Sequence, residues 1–442
     1  MARGLSYRLL QSFGSPSVKI QICHFPFPLA DVLGFSNLTG VRARHFIQII
    51  LFLLPVVASA QIDPMKRDLI QFGYNQAIEG HAPFAGYAFY YHNQPDFIRT
   101  NLTLRLAIAP TYMDSEFGFS GALGPQTDLG IGLAGGGFAD NYNEIRGGTF
   151  RPDESFDGSG FELSASAYHL FNPGDRIPLN FVGRLTAHYS FYSDNDDTAS
   201  NFQLPNNHGD FSLRTGLRWG GVQPTLFPPL AMELSIWYEG HLRSNPGTYG
   251  FGGDRNLNSQ SHLFWGEAAL AYTLSKSQQS FYVRLTAGTS VDADRFSAYR
   301  LGGFLPLISE FPLSLPGYFY NEISARQFVL LNANYLLPLD EEKRWSIDAN
   351  ASTAIVDYLP GESQPGNWLN SVGGGILYHS PSDQLKVALT YAYGIDAIRS
   401  HGRGANSIGL LLQWDLGRFH SKNFNPTQPS FWRGGWQRFL NH

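Results

Sequence analysis

The sequence predicts an all-β protein: a transmembrane antiparallel β-barrel of about sixteen strands, with one long loop between the eleventh and twelfth. Three observations carry this expectation. Apolar and polar residues alternate with a period of two in segment after segment from Asp68 onward, as in strands with one oily and one wet face. Short and long connections alternate between those segments, as they do on the two rims of a membrane barrel. Aromatic content is high at 14% and charge low at 15%, yet mean hydropathy is close to zero. No apolar run reaches the roughly 18 to 20 residues of a membrane helix, whereas a barrel dilutes its lipid-facing residues with a polar interior.

The first 60 residues read as a leader. In residues 41–60, VRARHFIQIILFLLPVVASA, a basic start at Arg42 and Arg44 precedes an apolar core and the small-residue exit Ala58-Ser59-Ala60, the pattern of a secretory signal peptide cleaved before Gln61. Residues 1–40 hold the only cysteine, Cys23, and translation is expected to begin at Val41 through an alternative start codon. The mature chain then has no disulfide and no thiolate metal site. Losing Arg3, Arg8, Lys19, Arg42, Arg44 and Asp31 leaves 26 basic against 35 acidic residues, a net charge of −9 that argues against nucleic acid as a partner.

The barrel, residues 61–417, is expected to use sixteen segments: 68–76, 85–93, 101–112, 116–123, 127–138, 160–171, 179–192, 210–220, 230–243, 262–274, 280–292, 327–337, 344–357, 369–379, 384–395 and 406–416. Alternation is cleanest in the middle. Phe161, Leu163, Ala165 and Ala167 oppose Glu162, Ser164 and Ser166, and Phe281, Val283 and Leu285 oppose Arg284 and Thr286. Connections after even segments are short, such as 172–178 and 275–279. Most after odd segments are longer, such as 139–159, 193–209 and 244–261, which places both termini in the periplasm. Tyr and Trp at strand ends (Tyr91, Tyr189, Trp237, Trp265, Trp345, Trp414) favour a membrane barrel over a water-soluble sandwich. The break at Met113-Asp114-Ser115 rests on a change of phase. If 101–123 is one strand and 68–76 is not embedded, the count falls to fourteen.

Between Phe281 and Leu337 the pattern is interrupted by a stretch that cannot be a strand. Gly302, Gly303, Pro306, Pro312, Pro316 and Gly317 break any ladder, while Phe304, Leu307, Phe311, Tyr318 and Tyr320 demand an apolar place to dock. Within it, Arg300-Leu301-Gly302-Gly303, Leu315-Pro316-Gly317-Tyr318 and Asn321-Glu322 resemble the sixth extracellular loop of the bacterial surface-antigen barrel superfamily. That superfamily comprises outer-membrane protein insertases, two-partner-secretion pores and patatin-type autotransporter barrels. The resemblance implies that the loop folds into the lumen and that five strands follow it, as five segments do here. It also implies that Arg300 pairs with an inward aspartate on the thirteenth strand. There Trp345, Ile347, Ala349 and Ala351 alternate with Ser346, Asp348, Asn350 and Ser352, so Asp348 is the expected partner, with Tyr318, Asn321 and Glu322 on the same inner wall. The alternative is a surface loop with a solvated Arg300. Arg-Leu-Gly-Gly, where most of the superfamily has Arg-Gly-aromatic, is the form of the patatin-type barrels.

Other wet-face charges, namely Glu162, Arg184, Arg214, Arg218, Glu233, Glu239, Glu267, Arg284 and Lys386, are expected to line the lumen and to pair across neighbouring strands. No hydrolase motif and no glycine-rich phosphate loop occurs, so no catalysis and no cofactor or metal is expected. Asp194, Asn195, Asp196 and Asp197 read as a solvated acidic loop rather than a calcium site. The tail, 418–442, carries Phe431, Trp432, Trp436 and Phe439 among Arg433 and Arg438, which suits an interfacial anchor, a stopper in the barrel mouth, or a disordered end. Only about seven residues separate Gln61 from the first segment, so a periplasmic docking function is expected on another polypeptide or not at all. The expected partners are outer-membrane lipid and lipopolysaccharide, the barrel-assembly machinery and a separate periplasmic protein. The favoured function is translocation or assembly of a protein or lipid at the bacterial outer membrane, with a weak lateral seam between the first and last strands. A passive porin-like channel and a structural barrel with a closed lumen stay open beside it.

Overall fold

The computed structural model describes residues 66–417 except 174, 176, 222–226, 229 and 306–310. The leader, its cleavage site and the C-terminal tail lie outside the described residues. Sixteen strands form the wall: β1 (Arg67–Ala77), β2 (Gly86–Gln94), β3 (Leu102–Ile108), β4 (Tyr112–Phe119), β5 (Thr127–Gly136), β6 (Thr149–Leu170), β7 (Leu179–Ser193), β8 (His208–Gly220), β9 (Ala231–Arg243), β10 (Gln260–Thr273), β11 (Ser280–Val291), β12 (Ile323–Pro338), β13 (Trp345–Tyr358), β14 (Trp368–His379), β15 (Leu385–Arg399) and β16 (Gly402–Asp415). Each pairs antiparallel with the next, and β16 returns to β1 from Leu69↔Asp415 to Ala77↔Ser407. The barrel is therefore closed at sixteen strands, and the fourteen-strand alternative is set aside.

Alternation explains the wall. On β6 the outward Phe161 and Leu163 are more than half exposed, while the intervening Glu162, Ser164 and Ser166 are buried. Ile236, Leu270, Val329, Ile355, Ile376 and Leu389 continue an outward apolar girdle around the cylinder. Such a surface has no stable place in water, and lipid is the solvent that matches it.

Strand boundaries depart from the sequence reading in instructive places. The β3–β4 turn falls at 109–111, not at Met113-Asp114-Ser115, which lie inside β4. Pro110 makes the turn, and the shift turns Asp114 and Glu116 inward towards Arg105. Much of the expected loop 139–159 belongs to β6, which rises beyond its neighbours and pairs with a short strand, Tyr142–Arg146. β15 runs past residue 395 to Arg399, through an irregularity between Gly394 and Ile398. A weak seam between the first and last strands is not observed, because β1 and β16 share nine register pairs. The shortest ladder is β2–β3 with five pairs, since the Pro110 turn cuts β3 to seven residues.

A roof of connections covers the rim opposite Arg67 and Asp415. Phe202–Gln203 pairs with Gly250 and Phe251, and Gly247–Tyr249 with Arg255–Leu257. Tyr142, Phe156, Phe202 and Tyr249 are buried together beneath these pieces, with Phe296 of the long connection stacked among them. Burial of several aromatic rings is the largest apolar contribution a roof this small can make.

Candidate functional site

The inner wall from β6 to β11 carries paired charges. Arg184 donates to Glu162 at 2.8 Å, Arg218 to Glu233 at 2.9 Å, and Arg214 grips Glu239 through Nε and Nη2 at 2.9 and 3.0 Å. Arg284 lies 3.3 Å from Glu267, and Lys386, on β15, lies 3.6 Å from Asp383. All nine lumen charges named from the sequence therefore have partners, eight of them pairing among themselves between adjacent strands. His188 and His241 extend the ladder to Asp140 and Asp210, at 2.8 and 2.9 Å.

The connection between β11 and β12, 292–322, is packed against inward-facing groups. Its first part forms a short strand, Tyr299–Leu301, against Ile323–Ala325 of β12. Gly302 and Gly303 then turn the chain with φ of 143° and 59°, and a Cβ on Gly302 would sit 2.2 Å from the Phe319 carbonyl oxygen. No side chain fits there. Phe311 meets the stacked indoles of Trp237 and Trp265, with ring centroids 4.9 and 5.2 Å away. Asn332 of β12 donates to the Ser314 carbonyl at 2.9 Å.

The return arm is held most closely. Gly317, at φ 88°, lies so near Gly394 of β15 that a Cβ would come within 2.0 Å of its nitrogen, and the Gly317 amide donates to the Ser407 hydroxyl of β16 at 3.1 Å. Tyr318 is fully buried and shares a cluster with Ala397 and Ala405. Glu322 accepts from the Phe319 amide at 2.7 Å and from both terminal nitrogens of Arg399 at 2.9 and 3.0 Å, with both side chains almost completely buried. The Arg399 guanidinium also stacks 3.7 Å from the Phe319 ring centroid.

Arg300 and Asp348 do not meet. Arg300 donates to the carbonyls of Asn321 at 3.2 and 3.0 Å and of Asn143 at 3.1 Å, and lies over the Tyr142 ring. Asp348 accepts from Asn350 at 2.9 Å. The reason is distance along the wall. Arg300 is opposite Ser324 and Asp348 opposite Leu336, twelve positions apart on β12. At 3.3 Å per residue that is about 40 Å, far beyond the reach of an arginine. Two buried pairs fix the connection, Asp294 with Arg243 of β9 and Glu322 with Arg399 of β15, and the sequence reading missed Arg399 because it ended β15 too early. Gly394 was the available signal, since a glycine inside a strand marks close backbone approach.

Charges in the roof join the two sides of the rim. Arg295 lies 3.4 Å from Glu144 and 2.6 Å from Glu362, which belongs to the β13–β14 connection. Arg255 and Arg146 also approach Glu144, and both pair with Glu154. Burial raises the Glu144 carboxyl, but Arg295 and Arg255 outweigh it and hold it below the usual range. Glu362 is pushed up to about 7, by burial first and then by the neighbouring Glu144 charge.

This architecture, a closed sixteen-stranded cylinder with an apolar outer girdle and a charged lumen, defines an outer-membrane-type β-barrel. No protein-family model matches the chain, and no curated protein matches it. Among solved structures it is similar to CdiB from Acinetobacter baumannii, with 9% identity over 79% of this chain and 60% of that one at a TM-score of 0.51. It is also similar to BamA from Haemophilus ducreyi lacking POTRA domains 1–3 (11% identity, 78% and 70% covered, TM-score 0.50) and to CdiB from Escherichia coli (11%, 77% and 62%, 0.50). The likeness is one of barrel fold, and the chain spans about three fifths of the length of the two CdiB proteins.

Proposed function

We propose that this protein resides in the bacterial outer membrane, with both termini in the periplasm, and serves as a non-catalytic barrel through which a protein or lipid substrate is translocated or assembled. Contacts with outer-membrane lipid and lipopolysaccharide, insertion by the barrel-assembly machinery, and a separate periplasmic partner complete the reading. The observation that carries it is the fastening of 292–322. A buried ion pair, Glu322 with Arg399, and a set of glycine and serine contacts hold its return arm on β15 and β16, beside the closing β16–β1 junction. A buried pair of this kind fixes position more than it stabilises, which suits a part that is released and recaptured. Both the barrel fold shared with BamA and CdiB and the Arg300–Gly303 resemblance support the reading.

Planar-bilayer recording tests it. Wild type should conduct little, Arg399→Ala should add transient openings, and replacing 302–321 by a short Gly-Ser linker should give a large steady current. A wild type that already conducts steadily would make the barrel a passive pore. Silence in all three would make it a closed structural barrel.

A further inference from the structure

A groove of about 940 Å³ crosses the outer wall over β8–β13. Its depth comes from small residues in an otherwise bulky outward row, where Leu217, Ile236, Gly266, Ala287 and Val329 lie side by side in register. Ile236 and Val329 are well exposed, so this row faces the membrane. On the opposite face the wall is solid, because the Trp237 ring fills the place of a Gly216 side chain and Phe328 and Tyr299 fill that of Gly288. The groove is therefore a dent in the lipid-facing surface and not a window into the lumen. At the roof end, Thr289, Gln327 and Asp357 line it. Asp357 is paired there with Arg326 at 2.6 Å, and each side chain is about half exposed.

We propose that this groove is a binding site for one zwitterionic glycerophospholipid, its acyl chain lying over Gly266 and Ala287 and its headgroup at Arg326 and Asp357. Within an apolar girdle the neighbouring medium is acyl chain, and the volume is within the range of about 300 to 1,000 Å³ found for ligand sites. The headgroup class follows from the polar end. A guanidinium and a carboxylate side by side match a phosphate joined to an ammonium, the phosphate on Arg326 and the ammonium on Asp357. Opening the half-exposed pair to admit them sacrifices little, because exposed ion pairs contribute little. A polyphosphorylated glycolipid would set several anions against this single guanidinium and its adjoining carboxylate.

The full-length protein, reconstituted in liposomes with phosphatidylethanolamine bearing a photoreactive diazirine on its acyl chain, provides the test. Peptide mapping after illumination should place label on β10–β12, and Ala287→Trp, which fills the groove from the lipid side, should lower it at least tenfold. Leu389→Trp, elsewhere on the girdle, should leave it unchanged. Arg326→Ala should reduce labelling by the ethanolamine lipid severalfold, and exchanging the charges (Arg326→Asp with Asp357→Arg) should restore it. Should Ala287→Trp fail to fold, Gly266→Leu carries the same expectation, since a Cβ there meets only Ser235 O at 3.3 Å and Ile236 Cγ2 at 3.9 Å. Label spread evenly around the barrel, label unchanged by groove filling, or displacement by lipid A at concentrations where phosphatidylethanolamine does not compete would each overturn the proposal.

Discussion

The two halves of the inner wall solve the problem of a polar lumen in opposite ways. From β6 to β11, large charged residues face inward and neutralise one another strand to strand, as in Arg214 with Glu239 and Arg218 with Glu233. From β13 to β16 the inward positions are mostly small: Ser346, Ser352 and Ala354 on β13, Ser371 on β14, Ala392 and Gly394 on β15, Ala405 and Ser407 on β16. The first half neutralises its own charges, and it also receives Asp294 on Arg243 and Phe311 on Trp237 and Trp265 from the 292–322 connection. The second is a smooth bed for the return arm, whose Gly317 lies against Gly394 and Ser407 and whose Tyr318 packs with Ala397 and Ala405. The difference teaches that charge in a lumen need not mark every contact surface, because here the plain side holds the return arm 311–322 as closely as the charged side holds its own ion pairs.

The sharpest way to break this contrast is to remove the buried Glu322–Arg399 pair on the plain side. Arg399→Ala leaves Glu322 buried without its counter-ion, and the expected destabilisation of the seated segment is about 3 to 5 kcal/mol. Hydrogen exchange should rise across 311–322 while β7–β10 stay protected. Equal loss of protection in both halves would mean that the wall and the segment are one cooperative unit. Replacing both partners, Glu322→Gln with Arg399→Met, should restore much of the loss.

Next in size is Gly317→Ala. The left-handed backbone and the 2.0 Å approach to Gly394 leave no room for a methyl group, at a cost of about 2 to 3 kcal/mol in strain and displacement. Protease cleavage between Gly303 and Tyr320 should increase, with little change in the melting temperature of the barrel. On the charged half the effect should invert. Arg214→Gln strips Glu239 of a two-pronged partner, and a loss of about 1 to 2 kcal/mol is expected in barrel melting, with exchange in 311–322 unaltered.

How far these features could be read from sequence follows the same division. Strand number was legible because lipid imposes an apolar residue at every second position, and Phe161, Leu163, Val283 and Leu285 obey it. The wall charges were legible for the same reason, being the other phase of that rhythm. Ends and seats were not. The β3–β4 turn was misplaced although Pro110 marked it, because the apolar alternation on either side can be extended in both directions. Arg399 was missed because the irregularity after Gly394 hides four further residues of β15. Arg300 was assigned to Asp348 through resemblance alone, and only register shows the roughly 40 Å of wall between them. The outer groove leaves no trace in one strand, since Gly266 and Ala287 become neighbours only across the β10–β11 ladder.

The smallest expected effect concerns the roof, where Arg295 of the long connection ties the charged half, through Glu144, to the plain half, through Glu362. Glu362 titrates near 7 in the folded protein, raised from an ordinary value of 4.5. A carboxyl with a raised folded pKa binds its proton more tightly in the folded state. Its contribution to stability is therefore complete below about pH 4.5 and is lost as pH climbs through 7, at no more than about 1.4 kcal/mol per pH unit. Glu144, held low, stays ionised throughout that window and keeps Arg295 in place, so the change should be confined to 359–367. Exchange rates there, corrected for the intrinsic pH dependence of amide chemistry, should be slower at pH 5 than at pH 8. Glu362→Gln should abolish the difference and hold the slow rate at both. A wild-type profile that is flat would leave Glu362 at its ordinary value, and one that runs the other way would mean that the attraction of Arg295 outweighs burial and holds the ionised carboxylate.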